Sequence, residues 1–545
     1  MNKEKNAIIA NMIQPETLRS EAFQPWCHGR GIDVWAMLCA CITGDMERVK
    51  QLLAKDPHLI QAEYEYFKPL HFAVREGHRE LVRFLLEKGA DPNNAGGDPL
   101  VTMARDRGYT DLAELFESIL QNKFHIAPEG TVIANDIKAY DLPAVRRLLQ
   151  ERPELLQVAD EHGNQPIHWA VLTRQINLID YLLELGVDIN TSRPDGARPI
   201  DLTNGDYHYR SWYRDLPPTA LQRHEVLLGY LIARGAYVDI SVAAKIGWLE
   251  RVRELLDEDP SLVNKIPAYC GYYSGLPLRN AAGAGHFEVV KLLLERGANP
   301  NEPEQDIAPY GGALFSAIQG KHFEIIKLLL EHGANPNAPV ESSGNCMSIA
   351  KHVGASREIQ NLIASYGGVM GAGFADVETL AAMLHANPQL RVDAGLDDPQ
   401  KLRLILRYQP NYLNREIDPS AWWDHGTAKS PEHARWLIEQ GLDPRIRNWL
   451  GINILHRCAV AGDQGVAAVC LEHGADINVI ETEWCSTPLG WAARHGKTDM
   501  VAWLLQQGAD PNLPADIPWA LPLAWAKRRG HQEVVQLLEG VTNQS

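Results

Sequence analysis

The sequence predicts an all-α solenoid of about fourteen helix–turn–helix units joined by extended finger loops. Three observations carry this. One phrase recurs along the chain, Pro-Leu-His-x-Ala-x-x-x-Gly-His and then Leu-Leu-x-x-Gly-Ala-Asp/Asn-Pro-Asn. Good copies span 68–93 and 487–512, with further endings at 297–301, 333–337 and 474–478. The spacing is regular, 36 residues from Gly297 to Gly333 and 34 from Gly474 to Gly508, which is the range of a repeat array. Within each copy the apolar residues fall at i, i+3 and i+4, the period of short amphipathic helices.

Each part of the phrase has a physical reason. Thr487 suits an N-cap and Pro488 pre-sets the first helical dihedral, while Leu489, Ala492 and Ala493 mark a short buried first helix. Small alanines there let neighbouring helices approach closely. Asp499, Val501, Leu504 and Leu505 supply the second helix, and Gly508 stands where it needs a left-handed residue to stop. Asp510-Pro511-Asn512 then opens an extended loop. Helix, turn, helix and finger together resemble the ankyrin repeat family from about residue 34 onward. The resemblance implies a scaffold acting through its surfaces, and leaves the particular site open.

A second kind of unit ends its second helix with proline and leucine, at Pro57, Pro153, Pro260 and Pro388. Three places break the rhythm. Residues 1–33 are expected to form an N-terminal extension or cap. Residues 34–365 form the main array, with an insertion at 203–224 between the two helices of one unit. Residues 366–432 read as degenerate repeats, and 433–545 as C-terminal repeats and cap.

A net charge of −17 argues against nucleic acid, which rewards lysine and arginine stripes. Residues 1–30 lack the apolar core of a signal peptide, and no run of about 18 apolar residues suggests a membrane span. Eight scattered cysteines fit reduced thiols, so a cytoplasmic location is expected. Cys458 and Cys470 fall at small core positions.

Of twenty histidines, ten sit at repeat positions: His71, His168 and His456 in the Pro-Leu-His slot, His78, His286, His322 and His531 after the first helix, and His332, His473 and His495 beside turn glycines. Those in the first slot are expected to bond neighbouring backbone. No metal-ligand pair, phosphate loop or nucleophile elbow is present. No cofactor and no metal are expected.

The finger loops are unusual in carrying aromatic residues. The ligand-binding candidates are Tyr64 and Tyr66; Tyr207, Tyr209, Trp212 and Tyr213 in the insertion; Tyr269, Tyr272 and Tyr273; Tyr310; Trp422, Trp423 and Asp424; and Trp484. Trp449 and Trp519 lie in other fingers. Carboxylates accompany them, including Glu63, Glu65, Asp206, Asp215, Asp306, Glu481 and Glu483, and solvated loop charges are the expected state of these. Rings with carboxylates suit peptides, cations or sugars.

Two readings follow. The first is an intracellular scaffold recognising a protein or peptide through a concave, aromatic-rich finger surface. The alternative is a small-molecule or glycan-binding protein, or a carbohydrate-active enzyme using a carboxylate pair. No catalytic motif supports an enzyme, and the residues of catalysis are left unassigned.

Overall fold

A computed structural model describes residues 12–24, 27–92, 99–206, 216–270, 275–304, 310–338, 344–370, 430–439 and 442–542, with single positions 209, 308, 340 and 428. The chain divides into two compact units, Met1–Glu114 with Ala375–Ser545, and Leu115–Phe374. The degenerate stretch expected at 366–432 lies mostly outside the described residues.

The continuous unit, Leu115–Phe374, stacks seven pairs of helical segments among its described residues. Typical pairs are Pro166–Leu172 with Ile176–Glu184, and Pro277–Ala284 with Phe287–Glu295. Proline opens both first helices at a position whose N–H would lack an intrahelical partner. The second helix ends on Gly297 at φ 90°, and Ala298 N–H donates back to Leu293 O at 2.9 Å. Val290 and Leu293 are fully buried between neighbouring pairs. One pair departs from the pattern: the segment Pro199–Leu202 is only a 3-10 turn, and residues 203–223 intervene before His224–Ala233.

Two polar devices tie each repeat to the next. The histidine after the first helix donates from Nε2 to a carbonyl of the preceding repeat: His286 to Lys245 at 3.0 Å, His322 to Gly283 at 3.2 Å, and His78 to Ile42 at 2.9 Å. The last asparagine of each Gly-Ala-Asn-Pro-Asn bridges forward. Asn301 donates to Gly333 O at 2.8 Å and accepts from Asn335 N at 2.7 Å, and Asn337 does the same with Gly367 O and Val369 N. The phrase is therefore a cross-repeat hydrogen-bond ladder as well as a packing pattern.

The other unit joins repeats from both ends of the chain. Helix Gly31–Thr43 begins it, overlaid by the short helix Glu16–Arg19 and the antiparallel pair Phe23–Gln24 with Gly29–Arg30. Trp449, only 1% exposed, is surrounded edge-on by Tyr64, Phe67 and Phe72 at 5.2, 5.7 and 5.9 Å between ring centroids. Its indole N–H donates to Glu65 at 2.7 Å. Beside it, Glu483 accepts from His71 Nε2 at 2.9 Å and from Arg75 at 3.5 Å, and its backbone carbonyl accepts from Arg107. Arg529 reaches Asp106 at 2.6 Å.

This arrangement corrects two expectations. His168 and His456 do bond backbone, to Thr191 O and Ser486 O, with burial pushing both imidazoles down to about 3. His71, in the same slot, also meets a carboxylate 412 residues away. Nor are Glu481 and Glu483 solvated loop charges; both are buried. Glu481 accepts from the backbone N–H groups of Glu483, Trp484 and Ser486 and from the Trp491 indole, holding the loop in shape. Burial raises Glu481 to about 7 against the indole's opposing bond. Burial would raise Glu483 as well, but His71, Arg75 and Arg107 outweigh it and hold the carboxyl at about 2.

Two predictions follow from this packing. Leu293→Ala should cost about 2–5 kcal/mol, because the side chain is fully buried and its loss leaves a cavity in the core. Hydrogen exchange should then quicken first in the adjacent repeats, as nearest-neighbour coupling requires. Glu483→Gln should cost about 3–5 kcal/mol by removing the buried charge that bonds His71 and Arg75. Since the folded pKa of Glu483 lies below the unfolded value of about 4.3, its contribution is complete above that pH and lost as pH falls toward 2. Chemical denaturation at pH 7 and pH 3 should show the wild type losing more stability on acidification than Glu483→Gln does.

Candidate ligand cleft between finger loops

In the Leu115–Phe374 unit, three successive loops of unequal length enclose a cleft of about 230 Å³. The first is a long finger tipped by Arg193-Pro194-Asp195-Gly196, closed by Gly196 N–H donating to Arg193 O at 3.0 Å. The second, between Gly235 and Asp239, is short. The third follows Pro260–Asn264 and reaches back across the short loop to the first. Gly196 makes that approach possible. Its φ is 84°, and a Cβ there would stand 2.5 Å from the Ala268 carbonyl oxygen.

The first finger is rigid because its charges are internally matched. The Arg193 guanidinium donates to Asp195 at 2.6 Å, to Asp206 at 2.6 Å and to Asn164 at 2.9 Å. The Tyr269 ring centroid lies 5.8 Å from its guanidinium carbon. Burial raises the Tyr269 phenol well above its ordinary range. Behind this group Asp160 accepts from the Trp169 indole at 2.7 Å, and Tyr209 packs edge-on against Trp169 at 5.3 Å.

The wall of the cleft is a departure from the repeat phrase. Where other copies read Lys68-Pro69-Leu70-His71 or Gln165-Pro166-Ile167-His168, this one reads Arg198-Pro199-Ile200-Asp201. Asp201 takes the histidine's place and accepts from the Arg198 backbone N–H at 3.0 Å. The Arg198 side chain donates to Asp201 at 3.1 Å, to Asp239 at 2.7 Å and to the Tyr237 carbonyl at 3.3 Å. Burial raises Asp201, with Arg198 opposing. Asp239 also caps the next helix, accepting from Val242 N at 2.9 Å. At the base lies Ser241, 2% exposed, whose hydroxyl has no hydrogen-bond partner. One turn further, burial lowers the Lys245 ammonium to about 8, with Asp201 opposing. Next to Arg198 stands Tyr237, 52% exposed, its ring centroid 5.9 Å from the guanidinium carbon.

The sequence candidates divide sharply. Tyr269 lines the cleft, and Tyr209 stands behind its wall. Tyr310 is 41% exposed in another finger of the same unit. Tyr64 is packed inside the other unit against Trp449, Tyr66 is 60% exposed beside it, and Trp484 stacks under Arg494 at 3.8 Å. Tyr207, Trp212, Tyr213, Tyr272, Tyr273, Trp422, Trp423 and Asp424 lie outside the described residues, as do Asp215 and Asp306. The carboxylates expected in solvated loops are committed internally: Asp206 to Arg193, Glu63 to Lys68 at 3.6 Å, and Glu65 to Trp449. Arg198, Asp201, Asp239 and Ser241 escaped attention because they are not aromatic. Their signal was the paired departure at positions 198 and 201.

Comparison with known families agrees with the fold. The description "Ankyrin repeats (3 copies)" matches residues 33–96, 240–340 and 425–515, and "Ankyrin repeat" matches 162–191. The chain belongs to the ankyrin repeat family. It is similar to palmitoyltransferase ZDHHC13 of Mus musculus, 29% identical over 168 residues, covering 30% of this chain and 27% of that protein. The Homo sapiens counterpart is 30% identical over 138 residues, covering 25% and 22%. The E3 ubiquitin-protein ligase XBAT32 of Arabidopsis thaliana is 26% identical over 200 residues, covering 30% and 39%. The chain thus spans about a quarter of the palmitoyltransferases it matches. Among the described residues, no helix is long and apolar enough to cross a membrane.

Gly196→Ala tests how the cleft is closed. The added methyl forces strain at a left-handed position and pushes the Ala268 backbone away, for about 1–3 kcal/mol. Hydrogen exchange in 190–201 and 260–270 should rise while the rest of the unit keeps its protection.

Proposed function

We propose that the chain is a protein-interaction scaffold whose contact surface in the Leu115–Phe374 unit centres on the cleft between the finger loops. Ankyrin repeats are in general a protein-interaction scaffold. The relatives bear names of unlike activities, a palmitoyltransferase and a ubiquitin ligase, over partial matches. What they have in common with this chain is therefore better sought in recognition than in chemistry. One observation carries the placement. The Ser241 hydroxyl is buried at the base of a polar cleft with no partner of its own, and a buried hydroxyl left unmade costs about 1–3 kcal/mol. A group entering the cleft would recover that cost once the hydroxyl rotates toward it. Exposed Tyr237 beside it supplies the rigid aromatic contact that interfaces favour.

The small-molecule or glycan reading draws on the same cleft, which Tyr269 lines together with Asp201 and Asp239. At about 230 Å³ the space suits one side chain or one sugar ring, and falls short of the roughly 300–1,000 Å³ of typical ligand pockets. A binding screen separates the two. The full chain, with Ser241→Ala and Tyr237→Ala as controls, is used to capture partners by cross-linking, and is titrated with a panel of methyl glycosides. A protein captured by the wild type and lost from both variants is the expected result. Ser241→Ala should not lower the melting temperature, since it removes an unpartnered hydroxyl. Saturable glycoside binding without any protein captured would replace the scaffold reading with the alternative.

A further inference from the structure

We infer that the group accepted by the cleft is a cationic side chain, a lysine or arginine of the partner protein. This rests on the reading of the cleft as a docking site. The lining has used its hydrogen-bonding capacity unevenly.

The guanidinium and amide donors are largely committed. Arg198 directs Nε, Nη1 and Nη2 at Asp201, the Tyr237 carbonyl and Asp239. Asn190 uses both ends of its amide as the ladder asparagine of this repeat, accepting from Tyr237 N at 2.7 Å and pointing its nitrogen at Gly235 O at 3.5 Å. Arg193 is satisfied by Asp195, Asp206 and Asn164. The acceptors are not spent. Asp239 receives one bond on each oxygen, from Arg198 and Val242, which leaves a lone pair on both, and its side chain is 31% exposed. The Ser241 oxygen receives none. An anionic guest would face the carboxylates of Asp201 and Asp239, which one guanidinium, Arg198, serves between them. A guest rich in N–H groups and carrying positive charge satisfies both Asp239 and Ser241.

Aromatic surface points the same way. Tyr237 presents an exposed ring beside Arg198, whose guanidinium lies near its face. Rings placed beside carboxylates favour cations over neutral polar groups. Asp239 itself is fixed by its capping bond, so its free lone pairs are directed before any guest arrives.

The test uses the full chain and four fluorescent peptides of sequence Gly-Ser-X-Ser-Gly, with X as arginine, lysine, citrulline or glutamate. Anisotropy is measured at low and physiological salt. The arginine or lysine peptide should bind at least about tenfold more tightly than the citrulline peptide, because a charge-assisted bond is worth roughly 1.5–3 kcal/mol. Asp239→Asn should abolish that preference. Asparagine caps helices as well as aspartate does, so helical content by circular dichroism should stay unchanged. Equal binding of citrulline, an unaffected Asp239→Asn variant, or no binding by any of the four peptides would overturn the inference. If Ser241→Ala loses the captured protein while Asp239→Asn keeps it, the docking site stands and the cationic guest falls.

Discussion

A repeat of this kind can bury its apolar stripe only against its neighbours, and that constraint governs everything else. Val290, Leu293, Ile326 and Leu329 are fully buried because adjacent repeats cover them. Close stacking forces the loop backbones together as well, and backbone groups removed from water need partners. The asparagine ladder through Asn264, Asn301 and Asn337 and the histidine bonds at His286 and His322 supply those partners across each junction. Packing and polar satisfaction are one device here, so neither can change alone.

Departures from the phrase become informative against that background. Arg198 and Asp201 occupy the cap and histidine slots of a repeat whose first helix shrinks to a 3-10 turn. The replacement keeps the local cap, since Asp201 still accepts from the Arg198 N–H. It also places a guanidinium between two carboxylates at the wall of a cleft. A short loop at 235–239 beside two long ones leaves the space that those groups line. Unequal finger length makes the cavity, and substituted capping residues furnish its chemistry.

The unit formed by both ends of the chain answers to a different force. There the first helices and fingers of early and late repeats bury Trp449, Phe72 and Tyr64 together. Charged groups caught in such a contact are costly unless matched. Glu483 with His71 and Arg75, and Asp106 with Arg528 and Arg529, meet that requirement. Aromatic fingers that could have served a ligand serve the chain's own core instead.

The sequence by itself determined the repeat phrase, its helices and the stacking of neighbouring repeats. Period, capping residues and terminal glycines are local properties, legible one repeat at a time, and they placed the unusual segment between Pro199–Leu202 and His224–Ala233. It also directed attention to Tyr269, though through its ring rather than its surroundings. What only the tertiary structure decided is which fingers meet. His71 and Glu483 are 412 residues apart, and nothing local to either marks the other as its partner. The cleft depends likewise on Ala268 crossing a short loop to reach Gly196, a distance in space that no repeat period encodes. Periodicity specifies contacts between neighbours, while contacts that skip a repeat depend on loop length, and those between distant repeats on matched side chains far apart in the chain.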